Sequence, residues 1–119
     1  MSVDMPYPKL NNEDVVGIVV PDFLRPHWTL LREPDRHGIK KAVGLIGGQV
    51  DLVHFDSDKS WQGRHYAFPL LWDALRPGGL FVSDDIQDNL YFRDFVLAKN
   101  APYAVTSSGG KFVGIALKK

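Results

Sequence analysis

The stretches DLVHFDSDKSW, residues 51–61, and GGLFVSDDIQDN, residues 78–89, decide how this chain of 119 residues is read. Each is a short apolar run bounded by glycine or a charge and closed by a cluster of aspartates. Such runs mark buried parallel strands, because a strand covered on both faces has no polar side to alternate with its apolar one. Open α/β sheets bind their ligands in the crevice beyond the carboxyl ends of these strands. Asp56, Asp58, Asp84 and Asp85 therefore stand where a site is expected, delivered there by two neighbouring strand ends.

The flanking segments alternate between strand and helix signals. Residues 1–14 are polar and hold Pro6 and Pro8, which keep them extended as an N-terminal arm outside any sheet interior. Val15–Val20, a β-branched run closed by Pro21, and Trp28–Leu31 read as strands. Gly38–Ile46 reads as a helix with Ile39, Val43 and Ile46 on one face and Gly47-Gly48 to end it. Val50–Phe55 is the next strand. Ser60 caps a helix running to Arg76, with Phe68, Leu71 and Leu75 inward; Pro69 is expected to kink it and Pro77-Gly78-Gly79 to stop it. Leu80–Ser83 is a strand, and Asp88 or Asn89 caps a helix that buries Phe92, Phe95 and Val96. Tyr103–Thr106 and Phe112–Leu117 form a hairpin around SSGGK. Residues 15–119 thus make one α/β domain, a three-layer arrangement with helices on both faces of a mostly parallel sheet, closed by a C-terminal antiparallel hairpin.

Composition narrows the functional classes. The 14 basic and 14 acidic residues balance, which leaves no electrostatic footprint for nucleic acid or for a membrane surface. The absence of cysteine excludes disulfides, thiolate metal sites and a cysteine nucleophile. No apolar run reaches the roughly 18 residues that cross a bilayer. The opening MSVDMPYPKLNNEDVV lacks the basic-then-apolar pattern of a secretory leader, so a cytoplasmic location is expected.

The order of elements, together with VDLVHFDSD, WDALRPGG and LFVSDD, resembles the carboxyl-terminal two-thirds of a class I S-adenosylmethionine-dependent methyltransferase. The likeness is greatest to the metal-dependent O-methyltransferases of the macrocin type. It covers residues 15–119 and is strongest over 50–95. The resemblance implies a Rossmann-like fold, S-adenosylmethionine and Mg²⁺ or Mn²⁺ as cofactors, and methyl transfer to an oxygen of a small-molecule substrate. It also implies Asp56, Asp84 and Asp85 as metal ligands, Asp56 as the base that takes the acceptor's proton, and Asp35 as an acid near the adenine. Asn89 would support the site, and His54 or His65 would be second choices for the base. The residue chemistry agrees, since converging carboxylates suit a hard cation that can stabilise an attacking alkoxide or phenolate.

Each of these residues also has a simpler reading. Strand-end aspartates commonly cap the next helix or close a turn, and Asp35 reads more simply as a surface charge in a loop. His54 lies within an apolar strand and reads as a core histidine, while Trp61, Phe68 and Trp72 read as core. The family's first strand and glycine-rich loop have no counterpart, since no G-x-G lies between a strand and a helix. An N-terminally truncated fold is therefore expected, with poor binding of S-adenosylmethionine and a symmetric homodimer that covers the exposed sheet edge. Two other functions stand beside the enzyme. One is a non-catalytic methyltransferase-like remnant that self-associates. The other is a haloacid dehalogenase-type phosphatase, which HFDSDKS and SDDIQDN also suggest, although the 28 positions from Asp56 to Asp84 leave no room for its phosphate-binding segments.

Overall fold

The structure, a computed structural model, describes residues 1–5 and 9–119, so Pro6 and Pro8 lie outside the described residues. Its elements are β1 (Ser2–Val3), β2 (Leu30–Leu31), α1 (Asp35–Ile46), β3 (Val50–Phe55), α2 (Trp61–Ala74), β4 (Leu75–Ser83), α3 (Tyr91–Ala98), β5 (Tyr103–Ser108) and β6 (Lys111–Leu117). The two apolar runs pair as parallel neighbours, with Leu52 opposite Leu80 and Phe55 opposite Ser83. α2 ends at Ala74 instead of Arg76, because the residue before a proline is pushed out of the helical region. Leu75, expected on the helix face, becomes the buried first residue of β4. The register shifts between the Val50–Leu75 and Leu52–Leu80 pairs, and Gly78 at φ +79° helps to absorb the additional residues. The Lys118 ammonium fastens this junction by donating to the carbonyls of Trp72 at 2.7 Å and Leu75 at 2.5 Å, which satisfies acceptors at the end of α2.

β5 and β6 form the expected hairpin, turning on Gly109-Gly110 with both glycines at positive φ. β6 runs antiparallel to β4, giving the strand order β3-β4-β6-β5. The sheet is mixed, with one parallel and two antiparallel pairings, and not the mostly parallel sheet expected. Val15–Val20 is not a strand. A 3-10 turn at Glu13–Val15 leads into tight turns in which the Ile18 N–H donates to Val15 O and the Val20 N–H to Gly17 O. Gly17 at φ +78° breaks the β-branched run, and the Trp28 ring lies where a side chain on Gly17 would have to go. The strand expected at Trp28–Leu31 shortens to β2, which pairs in parallel with β1 at the start of the segment read as an arm.

One core joins the helices to the larger sheet. Ile39 of α1, Phe68 and Trp72 of α2, and Phe92 and Val96 of α3 pack with Val53, Phe55, Phe81 and Ala116. Phe68 lies at its centre, with ring centroids 5.2 Å from Phe55, 4.8 Å from Phe81 and 5.4 Å from Phe95. Such aromatic pairs add about 0.5–1.5 kcal/mol each beyond the area they bury. Pro69 does not divide α2; the carbonyl it leaves free belongs to exposed His65, where water can donate to it. All three helices serve one sheet face. The opposite face carries Leu52, Leu80 and Leu117 as a cross-strand row, 55%, 41% and 38% exposed. The described residues therefore make two layers where three were expected, and β3 is an edge strand.

Gly114 tests this packing. A Cβ there would fall 2.4 Å from Cζ of buried Phe92, so Gly114→Ala is expected to lower stability by about 1–3 kcal/mol. Gly44→Ala, in α1 with none of the described residues within 4 Å of an added Cβ beyond its own helix backbone, should raise it by about 0.4–1 kcal/mol. Denaturant unfolding measures both, and equal midpoints for the two variants would contradict the packing described.

Candidate functional site

The β3–β4 register places the two acidic turns side by side. Phe55 and Ser83 are the last paired residues, and the Asp84 N–H extends the ladder by donating to Phe55 O at 3.0 Å. Lys59 bridges the turns: its ammonium contacts Asp85 Oδ2 and lies 3.3 Å from Asp56 Oδ1. Lys111, from the hairpin, stands 3.8 Å from Asp85 Oδ1. The Gln87 amide donates to that same oxygen at 3.3 Å, while its own oxygen accepts from the Phe112 N–H at 3.0 Å. His54 Nε2 is 4.0 Å from Asp84 Oδ2. Beside the second turn runs an apolar groove lined by Ile86, Leu90, Phe92, Tyr103, Val105 and Phe112.

Asp56, Asp84 and Asp85 thus reach one end of the sheet, yet not as a ligand set. Among the described residues no group of three or more His, Cys, Asp or Glu is arranged to hold a metal ion. Their mutual repulsion is answered by ammonium groups, chiefly that of Lys59. Asp58 takes the simpler role: Oδ1 accepts from the Ser60 N–H at 3.0 Å, and Ser60 Oγ in turn caps α2 by accepting from the Gly63 N–H at 3.0 Å. A Cβ on Gly63 would lie 2.3 Å from Asp58 Cγ, so only glycine leaves room for this turn. His54 is not a core histidine; its side chain is 55% exposed on the open sheet face. His65 Nδ1 lies 3.4 Å from the Tyr91 hydroxyl. Phe68 and Trp72 are core as expected, whereas Trp61 is half exposed. Asp35 stands in the first turn of α1 with Oδ2 buried and without a hydrogen-bond partner among the described residues, and no described contact joins it to the acidic turns.

Two residues of the site escape a reading that follows aspartates. Lys59 follows Asp56 by three positions, a spacing that lets an ammonium return to the carboxylate, and it was legible as a charge inside the motif. Arg64 shares the apolar side of α2 with Ala67 and Phe68, and a charge at that spacing signals a buried partner. Asn89 links the first acidic turn to the start of α3: its Oδ1 accepts from the Tyr91 N–H at 3.0 Å, and its Nδ2 donates to Lys59 O at 2.9 Å.

A family profile described as a methyltransferase domain matches residues 3–86, a span that takes in both acidic turns up to Ile86. The chain belongs to this methyltransferase-domain family. The crystal structure of a protein provisionally described as an O-methyltransferase, from Klebsiella pneumoniae, superposes with a TM-score of 0.50 at 17% identity. The match covers 76% of this chain and 50% of that one, so the chain spans half the length of the structure it resembles, and the likeness is one of fold. A search of curated proteins finds no match. No helix among the described residues is long and apolar enough to cross a membrane.

The charges in this methyltransferase-family site are coupled. The hydrogen bond from Lys59, helped by Gln87, holds Asp85 below its ordinary 3.8, against the opposing effect of burial. The same bond to Asp85, with Asp56 adding to it, holds Lys59 above 10.5 although desolvation works the other way. Burial lowers the Arg64 guanidinium, opposed by Asp88, Asp85 and Asp58, and burial raises the Tyr91 phenol. The depressed Asp85 contributes stability that is complete above its ordinary value and lost as pH falls through the lowered one. The raised Lys59 contributes stability that is complete below its ordinary value and lost as pH rises through the raised one. Melting temperature against pH should therefore show an acid limb in the wild type that is reduced in Asp85→Asn, with the gap between the two closing below about pH 4. Parallel profiles from pH 3 to 7 would contradict the pairing.

Proposed function

We propose that this chain serves S-adenosylmethionine-dependent methyl transfer to a hydroxyl oxygen of a small molecule. The observation that carries the reading is the pairing of Asp56 with Lys59 at the carboxyl ends of β3 and β4, in a chain of the methyltransferase-domain family. The cofactor has a suitable partner in Asp35, whose buried Oδ2 lacks a donor among the described residues and could accept from a nucleoside amino or hydroxyl group. Bound S-adenosylmethionine supplies a methyl group on a positively charged sulfur. Asp56, its side chain 48% exposed, accepts the proton of the acceptor hydroxyl. The Lys59 ammonium then stabilises the oxyanion, and its raised pKa keeps it charged for that purpose instead of making it the base. The groove from Ile86 to Phe112 offers an apolar surface for the body of the acceptor. The donor set does not fit Mg²⁺ or Mn²⁺ while Lys59 stands between Asp56 and Asp85, so no step is assigned to a metal.

The test uses methyl-labelled S-adenosylmethionine with a panel of phenols, catechols and sugars. Label should pass to one class of hydroxyl compound, and Asp56→Asn should slow the transfer by about 10²–10⁴-fold. Asp94→Asn, on the exposed side of α3, should leave it unchanged. Equal rates in the wild type and Asp56→Asn would remove Asp56 from the role, and no transfer to any acceptor would overturn the enzymatic reading.

A second reading, a non-catalytic domain that self-associates, is favoured by the exposed row of Leu52, Leu80 and Leu117 and by the open edge of β3. An isologous homodimer would bury the same row twice. Light scattering should then report a dimer in the micromolar range that Leu80→Lys converts to monomer. A monomer at every concentration would rule this association out.

A further inference from the structure

Arg64 has no task in the chemistry above, yet it is fully buried. Its Nη2 donates to the carbonyls of Asp84 at 3.1 Å and Asp85 at 2.8 Å, and its Nη1 donates to Asn89 Oδ1 at 3.2 Å. Asn89 carries the connection onward through its bond to Lys59 O at 2.9 Å. One guanidinium therefore holds the second acidic turn directly and the first through a single amide.

The features of this contact point to geometry more than to stability. Arg64 Nε is buried without a partner among the described residues, and an apolar side chain of similar size commonly serves the stability of a buried position as well as a charged one does. An apolar side chain, however, cannot fix carbonyl directions. Asp85 needs that restraint: it sits at φ +50°, ψ +43°, the left-handed region that non-glycine residues enter at a cost, and Arg64 grips the carbonyls on both sides of its Cα. That conformation goes with the Asp85 carboxylate being held at Lys59.

We propose that Arg64 is a positioning residue that locks the Asp84–Asp85 turn and, through Asn89, Lys59, so that the two acidic turns face each other. Its effect on methyl transfer rests on the function proposed above; its effect on the turns does not.

Amide hydrogen exchange of the full chain, followed by NMR, tests it. In Arg64→Met the N–H groups of Asp84 and Tyr91, bonded to Phe55 O and Asn89 Oδ1, should exchange at least about tenfold faster, while Phe81 and Val82 in central β4 stay within about twofold of the wild type. Arg64→Lys keeps the charge and most of the length, and covers the case in which Arg64→Met fails to fold. It should show the same local loosening, because one nitrogen cannot span acceptors that a planar fork reaches from two. Unchanged exchange at Asp84 and Tyr91, or acceleration shared equally with Phe81 and Val82, would overturn the proposal. Where transfer is measurable, kcat should fall by about 10–100-fold in Arg64→Lys with the KM for S-adenosylmethionine unchanged. Loosened turns with full kcat would overturn the positioning role while leaving the methyltransferase reading intact.

Discussion

The hydrogen bond from the Asp84 N–H to the Phe55 carbonyl, at 3.0 Å, is the constraint on which the site depends. It extends the parallel ladder of β3 and β4 one step beyond their last paired side chains, so the turns that follow must leave the sheet together. The ladder itself is held from one side only. Val53, Phe55 and Phe81 face the helices, the two phenylalanines closing on Phe68, while Leu52, next to Val53, and Leu80, next to Phe81, face outward. A slip of one residue in either strand would exchange its faces, turning a phenylalanine out to solvent and a leucine in toward the helices. The aromatic core thus sets the register, and the register sets the distance between the acids.

Bringing acids together creates the second constraint, that their charge be answered. Lys59 does this from within the first turn and Lys111 from the hairpin, so the closure of the antiparallel part of the sheet reaches the charges at the end of its parallel pair. Gln87 ties the same two regions through Asp85 and the Phe112 N–H. The outcome is a cluster with a nearly buried carboxylate, Asp85, and a half-exposed one, Asp56, on a shared ammonium. Such a difference in setting lets two like groups take different roles, one structural and one open to a proton from outside.

How much of this was legible in the sequence follows from how local each feature is. The strand at Val50–Phe55, the Ser60 cap and the Gly109-Gly110 hairpin rest on neighbours in the chain and are where expected, whereas the strand expected at Leu80–Ser83 ends at Ser83 but begins at Leu75. Val15–Val20 has strand-forming side chains, but Gly17 turns the backbone and no strand among the described residues pairs with it, so tertiary context overrides propensity. The runs that suggested strands covered on both faces were misleading for a similar reason: an uninterrupted apolar strand can also leave one of its faces open, as Leu52 and Leu80 do. At the site, four aspartates were visible, but which would pair, cap or stay free depended on Lys59 and Arg64, whose partners lie on the other acidic turn. Spacing along the chain does not report contacts of that kind.

An ammonium group, held in place by the β3–β4 register, joins the two acidic turns. A crystal structure of the chain grown in the presence of Mg²⁺ at neutral pH tests it most directly. The Lys59 nitrogen should lie within hydrogen-bonding distance of both Asp56 and Asp85, with the Asp84 N–H on Phe55 O. A divalent cation held by Asp56, Asp84 and Asp85, with Lys59 turned out to solvent, would contradict it and restore the metal-dependent reading of the motif.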